Sequence, residues 1–198
     1  MIRTMAAMGT VVAIDVDAPE AAVERAFEWF RQVEAACSRF DQASELRQLT
    51  VGAATRASPI LFEAVRFALQ VAEQTRGAFD PTLGSRLAAR GYNRHYVTRD
   101  VVDAPGTDDV SFRDIELDAG RQTIVLKRPL TLDLGAVAKG LAVDAAAQEL
   151  KPFRHFCIDA GGDIYCAGKN PQGEPWRVGI RHPRRRGQDA QDHEESEG

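Results

Sequence analysis

Cysteine is scarce in this sequence, with only Cys37, Cys157 and Cys166 among 198 residues. Their spacings fit neither a ladder of paired disulfides nor a C-x-x-C zinc pair, so the expectation is three reduced, structural thiols. The four histidines, His95, His155, His182 and His193, lie far apart without metal-ligand spacing and read as structural or solvated. Long apolar runs are missing too: no stretch approaches the roughly 20 residues a membrane-spanning helix needs. The first eight residues carry one positive charge and no apolar export-signal core, which points to a cytoplasmic chain. Nor is there an excess of basic residues. Lys and Arg number 25 against 29 Asp and Glu, a formal net charge of -4, which argues against nucleic acid as a partner. No internal repeat is visible.

What is present is enough apolar material, 44% of residues, to bury one core. Thr10 to Asp17 alternates, with Val12, Ile14 and Val16 on one face, as in a half-buried strand. Pro19 opens a helix to about Phe40, in which Val23, Phe27, Phe30, Val33, Cys37 and Phe40 recur at helical spacing. Ser58-Pro59 starts a second helix, with Leu61, Val65, Ala68, Leu69 and Ala72 as its buried stripe and Gly77 as its stop. Ile115 to Asp118 and Thr123 to Lys127 alternate around a turn and predict a β-hairpin. Leu130, Leu132 and Leu134 alternate before a helix from Ala136 to Leu150, and Phe156–Ile158 and Trp176–Ile180 read as further strands.

These elements mix without a regular βαβ beat, so the fold class is α+β, a mixed or antiparallel sheet with packed helices. Residues 1–183 form one domain. From Arg184 the chain is polar and charged, with a single alanine as its only hydrophobic residue, and reads as a disordered tail over 184–198. The run Arg184-Arg185-Arg186 sits beside acidic residues there and reads as a solvated cluster.

Three stretches could carry chemistry. In Asp133-Leu134-Gly135-Ala136-Val137-Ala138-Lys139-Gly140 a strand delivers Asp133, glycine permits a turn, and a helix begins whose free N–H groups favour an anion. Lys139, one turn in, would add a cation. The spacing is not a Walker loop, and the residues equally fit a simpler reading, a capping Asp and a solvated Lys. Gly77-Ala78-Phe79-Asp80-Pro81-Thr82 places an aromatic and a carboxylate at a proline-fixed turn; by itself it reads as core and turn. Asp159-Ala160-Gly161-Gly162-Asp163 fits either close backbone approach to a ligand or a hairpin turn.

Taken in order, Met8-Gly9-Thr10, Ser38-Arg39-Phe40 with Ser44-Glu45-Leu46, Gly77 to Thr82, Asp133 to Gly140, Asp159 to Asp163 and Trp176-Arg177-Val178-Gly179-Ile180 resemble the successive signatures of the ApbE family, over about Met8 to Pro183. That family comprises magnesium-dependent FAD:protein FMN transferases. The resemblance implies that Met8, Phe40, Ala78, Phe79, Asp80, Asp133 and Lys139 line an FAD site, and that the Ala136 carbonyl is a magnesium ligand. It implies a partner protein that receives FMN on Thr or Ser, as redox-complex subunits do, with release of AMP. Two alternatives stay open: an FAD hydrolase giving FMN and AMP, and a non-catalytic flavin-binding remnant. The family commonly carries an export signal or lipid anchor, which this sequence does not match. After His182-Pro183 it also departs from the family, which continues with a His-x-x-Asp-Pro-like stretch and an Asp/Thr cluster that completes the metal site. The expectation is therefore a chain truncated at its C-terminus, able to bind FAD, poor in turnover, and prone to self-association.

Overall fold

Val12, Ile14 and Val16 are essentially inaccessible to solvent, and they set the inner face of the main sheet. The computed structural model describes residues 1–96, 98–107 and 109–180; the expected tail, 184–198, lies outside the described residues. Strand β1 (Ile2–Ala7) pairs antiparallel with β2 (Thr10–Val16) across a turn at Met8-Gly9. Helix α1 (Glu20–Cys37) and helix α2 (Pro59–Gln74) follow, with the short strand β3 (Thr55–Arg56) between them. A short helix α3 (Gly84–Ala89) precedes the hairpin of β4 (Ile115–Asp118) and β5 (Thr123–Leu126). Helix α4 (Gly135–Leu150) leads into β6 (Phe156–Ala160) and β7 (Asp163–Ala167).

The strands form two antiparallel sheets, one ordered β1-β2-β6-β7 and one ordered β3-β5-β4. With α1, α2 and α4 packed over them this is the α+β class the sequence predicts. Phe156, Ile158 and Ala160 of β6 continue the inner face begun by β2. Helix α1 lays Val23, Phe27, Phe30 and Val33 on the core, and α4 contributes Ala142, Val143, Ala146, Ala147 and Leu150. Helix α4 is apolar around most of its circumference but leaves one stripe, Ala136, Gly140, Asp144 and Gln148, exposed.

Local chemistry explains the boundaries. Ser58 accepts the Leu61 N–H at 3.2 Å and caps α2. At the other end Gly77, at φ +83°, donates its N–H to the Ala72 carbonyl at 2.8 Å, a left-handed stop that favours glycine. Helix α1 ends at Cys37, three residues short of the expected Phe40, because Ser38 turns extended and its hydroxyl accepts the Phe40 and Asp41 N–H groups at 3.2 Å.

Several sequence expectations are corrected. Leu130–Leu134 is no strand; Thr131 alone bridges to Leu83. Trp176–Ile180 is not a strand among the described residues; its Trp176 indole donates to the Ala167 carbonyl at 3.0 Å. Cys157 and Cys166 are not free thiols, since they face one another across β6 and β7 and are joined as a disulfide. Strands β1 and β7 and helix α3 were not anticipated.

Phe30 is fully buried on the core side of α1. Replacing it with Ala is expected to cost about 3–5 kcal/mol of stability, read as a lower urea midpoint with little change in slope.

Candidate functional site

The turn between β1 and β2 places Met8 at φ 50°, and its N–H donates to Glu34 Oε1 at 2.9 Å. Glu34 sits near the end of α1, whose last turn and exit loop carry Cys37, Ser38, Arg39 and Phe40. Opposite them the approach to α4 brings Asp133, Leu134 and Gly135, and the first turns of the helix bring Ala138 and Lys139. These residues enclose a cleft with a volume of about 190 Å³, which Arg94 and Tyr96 complete from a surface loop.

Asp133 ties three separate segments together there. Its Oδ2 accepts from Arg39 Nε at 2.6 Å and its Oδ1 from the Gly135 N–H at 2.8 Å. Its own N–H donates to the Pro81 carbonyl at 2.8 Å. The carboxylate therefore neutralises a buried guanidinium and satisfies a first-turn N–H of α4 together. Lys139, one turn further along the same helix face, pairs with Asp163 Oδ2 at 3.0 Å and donates to the Ala160 carbonyl at 3.4 Å.

The Asp159–Asp163 stretch is a hairpin turn, with Gly161 and Gly162 at φ +67° and +101°, and it also forms part of the cleft's surroundings through Asp163. A side chain at Gly161 would collide with the Thr10 hydroxyl. Glycine here lets the turn of β6 and β7 nest against the start of β2.

Of the residues singled out from sequence, Met8, Phe40, Asp133 and Lys139 line this one cleft. Ala78, Phe79 and Asp80 do not line it; their segment reaches its Asp133 wall through Pro81. Phe79 is half-buried against the core, and Ala78 is exposed. Asp80 accepts from the Thr82 N–H at 2.9 Å, the Thr82 hydroxyl at 2.7 Å and the Phe112 N–H at 3.1 Å. Ala136 lies in the exposed first turn of α4, beside the cleft residues Gly135 and Ala138. Asp133 is its nearest carboxylate in sequence, with both oxygens engaged as described.

Sequence reasoning missed Glu34, Arg94 and Tyr96. Glu34 had a detectable signal: it is a carboxylate on the flank of the stripe formed by Phe30, Val33 and Cys37. Its Oε1 also accepts from the Tyr96 hydroxyl at 2.8 Å. Burial, with the Glu34 hydrogen bond and charge behind it, raises the Tyr96 phenol above its ordinary range. Burial likewise pushes the Cys37 thiol, which lines the cleft, up to about 12, with the charge of Glu45 adding to the effect. At neutral pH Cys37 is a protonated apolar wall and not a nucleophile.

Set beside known proteins, the chain matches the model of the ApbE family over residues 8–196. It belongs to that family. The FAD:protein FMN transferase of Haemophilus influenzae is 27% identical over 165 residues, which is 77% of this chain and 45% of the relative. That of Treponema pallidum is 31% identical over 189 residues, or 85% and 52%. The chain thus spans about half the length of the curated relatives it matches. Among solved structures, the ApbE protein of Thermotoga maritima superposes with a TM-score of 0.78 at 25% identity, covering 93% of this chain and 64% of that one. The flavin transferase ApbE of Vibrio cholerae does so at 0.77 and 23%, covering 92% and 64%, a likeness of fold.

Two outcomes follow. Asp80→Asn halves the acceptor capacity that holds Thr82 and Phe112, and is expected to cost about 1–2 kcal/mol, measured by thermal unfolding. For Cys37, the folded state keeps the proton to higher pH than the unfolded chain. Its contribution is complete below pH 9.0 and is lost as pH rises toward about 12. Cys37→Ala should flatten the fall in stability over that window, and native Cys37 should resist iodoacetamide that labels the unfolded chain.

Proposed function

We propose that this chain is the FAD-handling part of an FAD:protein FMN transferase. One observation carries the reading: three separate signatures, carrying Met8, Phe40, and Asp133 with Lys139, converge on one cleft at the N-terminus of α4, in a member of a family whose matched relatives bear that name. The chemistry suits a dinucleotide. Lys139 and the start of α4 supply positive potential for a diphosphate. Phe40 offers a flat apolar face, Met8 a polarisable contact, and Ala78, Phe79 and Asp80 a rim joined to Asp133 through Pro81.

In the proposed reaction the hydroxyl oxygen of an acceptor Thr or Ser attacks the FMN phosphorus of FAD. A new P–O bond forms to the acceptor, the P–O bond to AMP breaks, and the hydroxyl proton leaves to solvent or to the departing AMP. Such a transfer depends on positioning and charge stabilisation. Magnesium would supply charge neutralisation on the diphosphate and favours six oxygen ligands. The described residues do not by themselves provide that set: Asp133 has both carboxylate oxygens engaged by Arg39 and Gly135, and Ala136 contributes a backbone carbonyl. What this chain's residues do is bind the diphosphate and orient the ring.

Flavin fluorescence titration tests the reading. FAD is expected to bind more tightly than riboflavin, and Lys139→Ala to weaken FAD by about tenfold while leaving riboflavin nearly unchanged. Equal weakening of both would remove Lys139 from a phosphate subsite. Supplying magnesium and an acceptor protein then separates the activities. In-gel fluorescent labelling of the acceptor supports transfer, AMP release without labelling supports hydrolysis, and binding with neither supports a flavin-binding module.

A further inference from the structure

We propose that Arg39 is a positioning residue of the cleft, a role that rests on the flavin reading only for the identity of the ligand. Arg39 is 6% exposed, and a buried guanidinium is costly unless its N–H groups find acceptors. Its two acceptors lie on different segments. Nε donates to Asp133 Oδ2 at 2.6 Å and Nη2 to the Tyr92 carbonyl at 2.5 Å. Its guanidinium carbon also lies 4.0 Å from the centroid of the Phe40 ring, within cation–π range.

Each of these contacts holds a different wall. Phe40 belongs to the exit from α1, Asp133 to the approach to α4, and Tyr92 to the segment Gly91–Tyr96, which brings Arg94 and Tyr96 to the cleft. The Gly91–Tyr96 segment touches α1 at a second point, where the Tyr96 hydroxyl donates to Glu34. Loss of Arg39 would leave Asp133 Oδ2 and the Tyr92 carbonyl without their shared donor and the segment with the Glu34 hook. Because both named donors point at protein acceptors, Arg39 acts on a ligand through Asp133, Phe40 and the Gly91–Tyr96 segment. Lysine cannot replace it: a single ammonium lacks the planar fork that reaches two acceptors while stacking on a ring.

The test compares the whole chain with Arg39→Lys, Arg39→Met, Asp133→Asn and the Arg39→Met/Asp133→Asn double variant. Hydrogen exchange reads the amides of Tyr92 and His95, which donate to Leu87 and Asp100, against those of the α1 and α4 cores. Fluorescence titration reads FAD and riboflavin, and thermal unfolding reads global stability. Arg39→Lys is expected to raise exchange at Tyr92 and His95 and to weaken FAD, each by about tenfold, with core exchange unchanged. The double variant should bind FAD no more weakly than the worse single, since both remove one linkage. Wild-type exchange and affinity in Arg39→Lys would overturn the proposal, as would losses that rise in step with core exchange in every variant. Failure of the unmutated chain to bind FAD, with the exchange response retained, would remove the flavin reading and support the positioning role.

Discussion

The antiparallel packing of α1 on α4 is the constraint on which the cleft depends. Ala138, Ala142 and Ala146 repeat every four residues and are nearly or fully buried, so one side of α4 has little bulk and its partner can come close. Ala22 and Ala26, also buried, likewise add little bulk along α1. At one end Trp29 and Arg25 both reach Glu149, at 3.4 and 3.3 Å. At the other, the exit of α1 and the start of α4 lie side by side, and Arg39 meets Asp133. The buried residues of both helices and of β2 and β6 belong to one hydrophobic core, which holds the two helices in place, and the Arg39–Asp133 pair joins their ends at the cleft.

Charge in the cleft is arranged by the same geometry. Arg39 is matched to Asp133 and Lys139 to Asp163, which removes the cost of cations in a partly buried site. The two pairs differ in consequence. Arg39 is inaccessible and its partner also caps a helix, so that pair is structural in character. The Lys139 and Asp163 side chains are 28% and 45% exposed, so an incoming anion at the start of α4 can compete with Asp163 for the ammonium at modest cost. An anion-binding reading therefore places the exchangeable cation at Lys139 and the fixed one at Arg39.

The parts of the fold that were legible in the sequence are those with one dominant period. Val12, Ile14 and Val16 alternate, and Val23, Phe27, Phe30 and Val33 recur on a helix, because each element shows one face to a single core. Strand β1 was not legible, since Ile2 lies on its exposed face and Arg3 on its inner one, so its residue types do not alternate between apolar and polar at this sheet edge. Strand β7 was not legible, since it has no fully buried residue to mark an inner face. Trp176–Ile180 has strand-forming residues but no ladder among the described ones, and β propensity without a paired neighbour does not make a strand. The cysteine pair was missed because spacing along the chain says nothing of cross-strand register, which alone sets Cys157 opposite Cys166.

The candidate site was legible in the same uneven way. Signatures built on a glycine or a helix start, such as Met8-Gly9 and Asp133 to Lys139, declare themselves because their backbone geometry restricts the residue types. Arg94 and Tyr96 declare nothing, since they ride on an irregular loop, and Glu34 shows only as a carboxylate on the flank of an apolar stripe. Asp80 has a structural account of its own. Its three hydrogen bonds to Thr82 and Phe112 account for a carboxylate after an aromatic at that turn, and they orient the segment whose Pro81 accepts from Asp133. Its effect on the cleft runs through backbone placement. Asp133 is thus the joint of the site: its side chain fixes Arg39 and the first turn of α4, while its main chain fixes the Gly77–Thr82 segment. A ligand that spans from Lys139 to Phe79 would have to cross it.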